Sequence, residues 1–219
     1  MKVVIDQDIQ LLFPNIQMGC VLADVEVKTS DESIQKAMDV LCVEKESALT
    51  AELIRQHPIV KLTKDAYRKL GKDPNRYRPS AESLMRRVVS GKGLYRVNNL
   101  VDILNMVSIK TGFSIGGYDA DLIEGEIYFG KGLANEVYEG IGRGDMNIEN
   151  LPVFRDNLGA FGNPTSDSVR TMVTSTNKRV FMTFPAFEVA NEKLKDALTL
   201  TVELLTELSD AKNITSWIE

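Results

Sequence analysis

The spacing of apolar and polar positions changes several times along this chain, and each spacing predicts a different element. A short strand opens the sequence. Residues 16–27 alternate loosely and are rich in β-branched side chains, as a strand is. Thr29-Ser30-Asp31-Glu32 has the Thr-x-x-Glu form of a capping box, after which Ile34, Met38 and Leu41 recur at helical spacing. A second amphipathic stretch carries Leu49 and Leu53. A short helix over 65–70 should stop at Gly71, with Pro74 beyond it. Another should begin at Pro79-Ser80 and close at Gly91, and a third should run from Asn99 or Leu100 to Gly112. From 113 to 184 the pattern shortens into β-like runs at 113–118, 126–129, 151–154, 168–173 and 179–184. These are too closely spaced for repeated βαβ units. Leu194, Leu198, Val202 and Leu205 share one face of a long closing helix over 188–208. No repeat, low-complexity tract or long linker interrupts the pattern, so one α+β domain is expected.

Composition narrows the classes. At 219 residues, with 43% hydrophobic and 26% charged, the chain can bury a sizeable core. No apolar run approaches the roughly 18 residues of a membrane span. The first eight residues place acids where a signal peptide needs apolar side chains, so a cytoplasmic protein that meets no membrane is expected. Cys20 and Cys42 sit inside apolar patterns and match no metal or redox spacing, which reads as reduced thiols. The net charge is −5, yet residues 61–96 hold eleven Lys/Arg against three acids, which makes that segment +8 and the remainder −13. Such asymmetry can create a positive field on an acidic body.

Several chemistries lack their residues. His57 is the only histidine, and no serine motif accompanies it, so Ser-His-Asp or Cys-His catalysis is unsupported. Nothing predicts a metal site or a cofactor. Gly140–Asp145 and Gly91-Lys92-Gly93 lack dinucleotide or phosphate-loop frames and read as turns. Two features are more informative. Asp102, Asn105 and Ser108 are spaced to form a polar strip on one helix, with Val101, Leu104 and Val107 turned inward, and a solvated face is the plain alternative. Residues 154–170 pack small hydroxyls, an amide, a carboxylate and Arg170 between two β-like runs. That suits either an elaborate hairpin or recognition of a small polar ligand.

Three stretches then carry a resemblance. They are Arg76-Tyr77-Arg78-Pro79-Ser80-Ala81-Glu82-Ser83-Leu84-Met85-Arg86-Arg87, Asn98-Asn99-Leu100-Val101-Asp102-Ile103-Leu104-Asn105 and Gly117-Tyr118-Asp119. In order and spacing they resemble the editing module of the bacterial phenylalanyl-tRNA synthetase β subunit, and more closely the free-standing proteins that carry this module alone. The resemblance covers roughly residues 60–185. It implies mixed and antiparallel sheets in layers with helices packed against them. An N-terminal strand and helical flank (1–59) would precede an editing-like core (60–187) and a C-terminal helix (188–219).

The function it implies is binding of an amino acid or aminoacyl ester on tRNA, with hydrolysis of mischarged tRNA in trans. In the synthetase that site removes tyrosine misattached to the phenylalanine tRNA. The physical need is a second pocket that hydrogen-bonds a hydroxyl which the first pocket rejects only weakly. Hydrolysis there works by positioning water and ester, with no metal and no covalent intermediate.

The residues carry over as follows. Asn105 matches the pocket asparagine and Asp102 the acid before it. Asp167 is the candidate acid for the substrate hydroxyl, and Asn163, Thr165, Ser166 and Arg170 are expected to line the pocket. Arg76, Arg78, Arg86 and Arg87 are expected to meet RNA phosphates. The family's editing histidine falls on Gly116, and its neighbouring threonine on Leu104. These departures keep a different reading open, that of a non-catalytic RNA- or amino-acid-binding module. A third is a partner-binding domain whose basic segment docks an acidic protein.

Overall fold

Backbone hydrogen bonding divides residues 1–219, described by a computed structural model, into ten strands and seven α-helices. In chain order they are β1 (Val3–Ile5), α1 (Gln7–Leu12), β2 (Gln17–Asp24), α2 (Glu32–Ala48), α3 (Ala51–Gln56), α4 (Pro58–Leu70), α5 (Ser80–Val89) and α6 (Asn99–Thr111). Then follow β3 (Gly116–Asp119), β4 (Ile127–Lys131), β5 (Glu139–Gly140), β6 (Gly144–Asp145), β7 (Pro152–Asp156), β8 (Gly159–Gly162), β9 (Arg179–Ala186), α7 (Asn191–Leu208) and β10 (Lys212–Ile218). The α+β expectation holds.

Glycines end α4 and α6 as the sequence predicts, because Gly71 and Gly112 adopt φ of 93° and 84°, which only glycine reaches without strain. Other local readings change. The capping box is not used: Asp31, not Thr29, caps α2 by accepting from Ile34 N at 3.1 Å. The helix read as 65–70 begins at Pro58, since proline fits the first helical position, where no N–H partner is needed. In α3 the buried side chain is Ile54, and Leu53 is exposed. The β-like run at 168–173 is a 3-10 turn over Val169–Thr171, because the Ser168 hydroxyl accepts from Arg170 N and curls the chain. The closing helix is followed by β10, a strand that the periodicity did not announce.

Two four-stranded sheets form, in the orders β10-β2-β9-β3 and β1-β4-β7-β8. The first is antiparallel throughout, and the second is antiparallel except for the β1–β4 pair. Helices α2, α5, α6 and α7 cover the outer face of the first sheet, with their apolar side chains in one large core beside Val180, Met182 and Phe184 of β9. Phe181, one residue away on the same strand, points to the other face. There it joins Tyr118, Phe129, Phe154 and Phe161 in an aromatic core between the sheets. Strand alternation explains the division, so β9 is buried on both faces.

The basic segment is partly internal. Glu82 of α5 is fully buried and gathers three cations. Lys64 Nζ lies 2.9 Å from its Oε2 as an ion pair, off the hydrogen-bond direction. Arg86 Nε donates to Oε1 at 2.8 Å, and Arg78 stands 3.7 Å away. Burial by itself raises the Glu82 pKa, but the Lys64 ion pair and the Arg86 hydrogen bond outweigh it and the net shift is downward. Lys72 is also buried, donating to the carbonyls of Asn147 and Glu149 at 2.8 and 2.7 Å. Lys64 and Lys72 are therefore structural, and the remaining cations make the surface field.

Candidate functional site: an apolar cavity opening into a cationic groove

Helix α6 is the back wall of the site; Val107 is buried as expected, but the polar strip turns inward as well. Asp102, Asn105 and Ser108 are buried, whereas Val101 and Leu104 keep partial exposure. The reason lies far along the chain. Asp102 accepts from the hydroxyl of Ser30, 72 residues away, at 2.6 Å and from the nearby Val97 N at 2.9 Å, so its buried carboxylate is satisfied. Ser108 donates to the Phe113 carbonyl at 2.7 Å. Asp102 thus pins the chain on either side of the helix and does not line the cavity.

The cavity has a volume of about 230 Å³ between α6, α5 and the open end of β9–β3. Leu84, Leu100, Leu104, Ile115, Met172, Val173, Val180 and Met182 give it an apolar wall with no aromatic ring. Six polar side chains face it: Ser80 from α5, Asn105 and Ser108 from α6, and Asn163, Ser166 and Asp167 from the loop after β8. The predicted loop therefore shares a concave site with Asn105.

Asn163 is built to present a donor. Its Oδ1 accepts from Thr165 N at 2.9 Å and from Ser166 N at 3.2 Å, which folds the loop. Its Nδ2 is buried without a well-formed partner. The neighbouring Tyr138 hydroxyl is committed to the Ser166 carbonyl at 2.6 Å. An unpaired buried donor costs roughly 1–3 kcal/mol, which a ligand acceptor would recover.

Asp167 keeps some accessible surface because it lines the cavity, but the protein packed around it desolvates its carboxyl. That burial pushes its pKa up to about 7, against the opposing pull of the Gly117 N–H, which donates to Oδ2 at 3.2 Å. The Tyr118 hydroxyl lies buried near Asp167 and Thr183 and forms no well-formed bond with either.

The remaining predicted residues are placed differently. Thr165 faces the groove outside, with its hydroxyl 2.9 Å from Tyr67 Oη. Arg170 is outside the cavity altogether. Its guanidinium donates to Asp156 Oδ1 and Oδ2 at 2.7 and 3.1 Å and to the Gly159 carbonyl at 3.1 Å, locking the β7–β8 hairpin. Arg78, Arg86 and Arg87 line a groove of about 930 Å³, and Arg76 lies outside that lining. Lys92 and Arg143 complete five cations there with no acid among the lining residues. Ser80, Leu84, Val97, Val101, Asn105, Ile141 and Ser166 line both spaces, so the groove runs into the cavity.

Sequence reasoning missed Tyr95, Ile141 and Arg143, and had Lys92 only as one cation of the basic segment. The Gly140–Asp145 segment is indeed a turn, the β5–β6 hairpin, but it carries Ile141 to the cavity mouth and Arg143 to the groove. An aromatic residue inside the basic run was the available signal for Tyr95.

Gly116, where the resemblance would put a histidine, has no room for a side chain. A Cβ on Gly116 would stand 1.9 Å from Tyr118 Oη and 2.4 Å from Cζ. The two residues share one face of β3, so the tyrosine fills the space that any side chain at 116 requires. On the other face, Leu104 Cδ1 lies 2.6 Å from where a Gly117 Cβ would be.

Comparison with known proteins agrees with this architecture. Residues 62–210 match the family model of the B3/4 domain. The chain belongs to the B3/4 domain family. That domain is found in the phenylalanyl-tRNA synthetase β subunit. Among solved structures, this B3/4 protein is similar to an N-terminal fragment of the phenylalanyl-tRNA synthetase β-subunit from Pyrococcus horikoshii, with a TM-score of 0.50 and 17% identity. The similarity covers 97% of this chain and 50% of that one, so the chain spans half the length of the fragment. At that identity the likeness shows the fold alone. No curated protein matches. No helix of this B3/4 protein is long and apolar enough to cross a membrane.

Proposed function

We propose that this B3/4 protein is an editing-like module that binds the aminoacyl end of a charged tRNA. The amino-acid side chain enters the cavity, and the ribose–phosphate end lies in the groove. The observation that carries this reading is the continuity of the two spaces, an apolar pocket with converging polar groups opening onto a groove in which Glu82 pairs with Arg78 and Arg86 but Arg87, Lys92 and Arg143 have no acidic partner. Asn105 and Ser166 lie where the spaces meet and are placed to orient an ester. Asn163 Nδ2 offers a donor and Asp167 a proton-holding carboxyl to the polar part of the ligand. The resemblance to the synthetase module and the membership of its domain family favour this ligand class over an acidic protein partner.

A second reading, a module that binds without hydrolysing, is favoured by one observation. Tyr118 leaves no room for an imidazole or any other side chain at Gly116. The test is a panel of correctly and wrongly charged tRNAs, with ester loss followed alongside thermal stabilisation by free amino acids. Ester loss from a subset of charged tRNAs, insensitive to chelators, supports hydrolysis. Stabilisation without ester loss supports the binding module. If neither amino acids nor charged tRNAs affect the protein, both readings fall.

A further inference from the structure

The groove contains one aromatic side chain, and its setting goes beyond charge. Tyr95 is a large side chain left 54% exposed. The Arg87 guanidinium carbon lies 3.9 Å from the ring centroid, so one face of the ring is covered by a stacked cation. Arg87 has no acidic partner within ion-pair distance, and its Nε is buried without a hydrogen-bond acceptor. Its position is therefore set by the ring and not by a carboxylate. Val97, 58% exposed, continues the apolar surface from Tyr95 to the cavity mouth.

A ring backed on one side by a guanidinium and set among cations is chemically matched to a nucleobase. The base stacks, its phosphates meet the cations, and the arginine makes the ring a stiffer platform. Resting on the aminoacyl-end reading above, we infer that Tyr95, backed by Arg87, stacks the base of the terminal nucleotide of a single-stranded RNA end, while Lys92, Arg78 and Arg143 hold its phosphates. A protein partner would make equal use of an exposed tyrosine. Glu82 takes up part of the charge of Arg78 and Arg86 from beneath, but Arg87, Lys92 and Arg143 have no acidic partner and no acid lines the groove, which favours the polyanion.

The experiment compares two short, labelled, uncharged single-stranded RNAs by fluorescence anisotropy, one intact and one lacking only its terminal 3′ base. Stacking is worth about 1–3 kcal/mol per base, so the wild type should bind the abasic strand roughly 5- to 150-fold more weakly. Tyr95→Ala should bind both strands alike, at the wild-type affinity for the abasic one, and Tyr95→Phe should keep the discrimination. The slope of binding against salt should be unchanged in Tyr95→Ala and reduced in Lys92→Ala, because only the second change removes a phosphate contact. Wild-type indifference to the terminal base overturns the inference, as does wild-type discrimination in Tyr95→Ala or its loss in Tyr95→Phe. The exposed position keeps the melting temperature of each variant as a check on folding. Stabilisation by free amino acids without RNA binding would sink this inference and leave the cavity reading standing. Base-dependent RNA binding with no amino-acid effect would do the reverse.

Discussion

Replacing Asp167 by asparagine keeps the shape of the side chain and its ability to accept from the Gly117 N–H, but removes the charge. The folded-state pKa is raised from 3.8 to about 7, chiefly by desolvation. Between those values the folded protein holds a proton that the unfolded chain releases. Stability therefore falls as pH rises through this window, and the loss is complete above about pH 7. At about 1.36 kcal/mol per unit the ceiling is about 4 kcal/mol, and water admitted by the cavity reduces it, so about 2–4 kcal/mol is expected. The asparagine variant pays no such cost. It should match the wild type near pH 4 and exceed it by that amount near pH 8. Urea unfolding of both proteins at several pH values, without ligand, measures the difference, and every other titrating group cancels in the subtraction. An unchanged m-value should accompany the shift in midpoint. A stability difference that does not vary with pH would refute the reasoning. So would an asparagine variant that is weaker at pH 8, since it would mean that Gly117 and Tyr118 hold the charged carboxylate better than burial disfavours it.

Three further outcomes follow from the packing. Glu82→Ala should cost about 3–5 kcal/mol in urea unfolding at neutral pH because it strands the buried Lys64. Wild-type stability from this group should be present above the ordinary glutamate pKa and be lost as pH falls through the depressed folded value. Gly19→Ala places a methyl 2.8 Å from Leu194 Cδ1, so it should cost about 1–3 kcal/mol by pushing α7 off the sheet, and a neutral effect would show that α7 shifts freely. Arg76→Ala combined with Arg78→Ala should lower the salt slope of tRNA binding by roughly 0.7–0.9 per lost contact, with little change in melting temperature because Arg78 stands 3.7 Å from Glu82, beyond hydrogen-bond reach, and a large melting loss would show that this ion pair holds the fold.

Features with a local cause were legible in the sequence. Gly71 and Gly112 stop helices because a left-handed residue is required there, and the repeat of Leu194, Leu198 and Leu205 marked the buried face of α7. The loop of Asn163, Ser166 and Asp167 was legible as a cluster because its residues are neighbours in sequence. Features decided by distant partners were not legible. The α6 polar strip faces inward because Ser30, at the far side of the chain, satisfies Asp102. Arg170 turns away from the cavity because Asp156 is buried beside it. Strand β10 shows little alternation because it lies at a sheet edge with most of its side chains in solvent, so no face had to be apolar.

The contact between Tyr118 and Gly116 has a consequence for anyone trying to redesign the site. Tyr118 Oη also occupies the space of a Cβ at Gly162, 2.2 Å away, so one hydroxyl keeps one position on each of two strands bare of a side chain. The three positions behave as an interlock in which the order of changes matters. Grafting an imidazole onto position 116 in one step collides with the ring, and Tyr118→Phe does not open the way because Cζ itself lies 2.4 Å from the new carbon. The ring has to go first, for example as Tyr118→Leu, leaving a void in the aromatic core before any gain in chemistry is available. Each single step is therefore downhill in stability, and only the pair together can be tolerated.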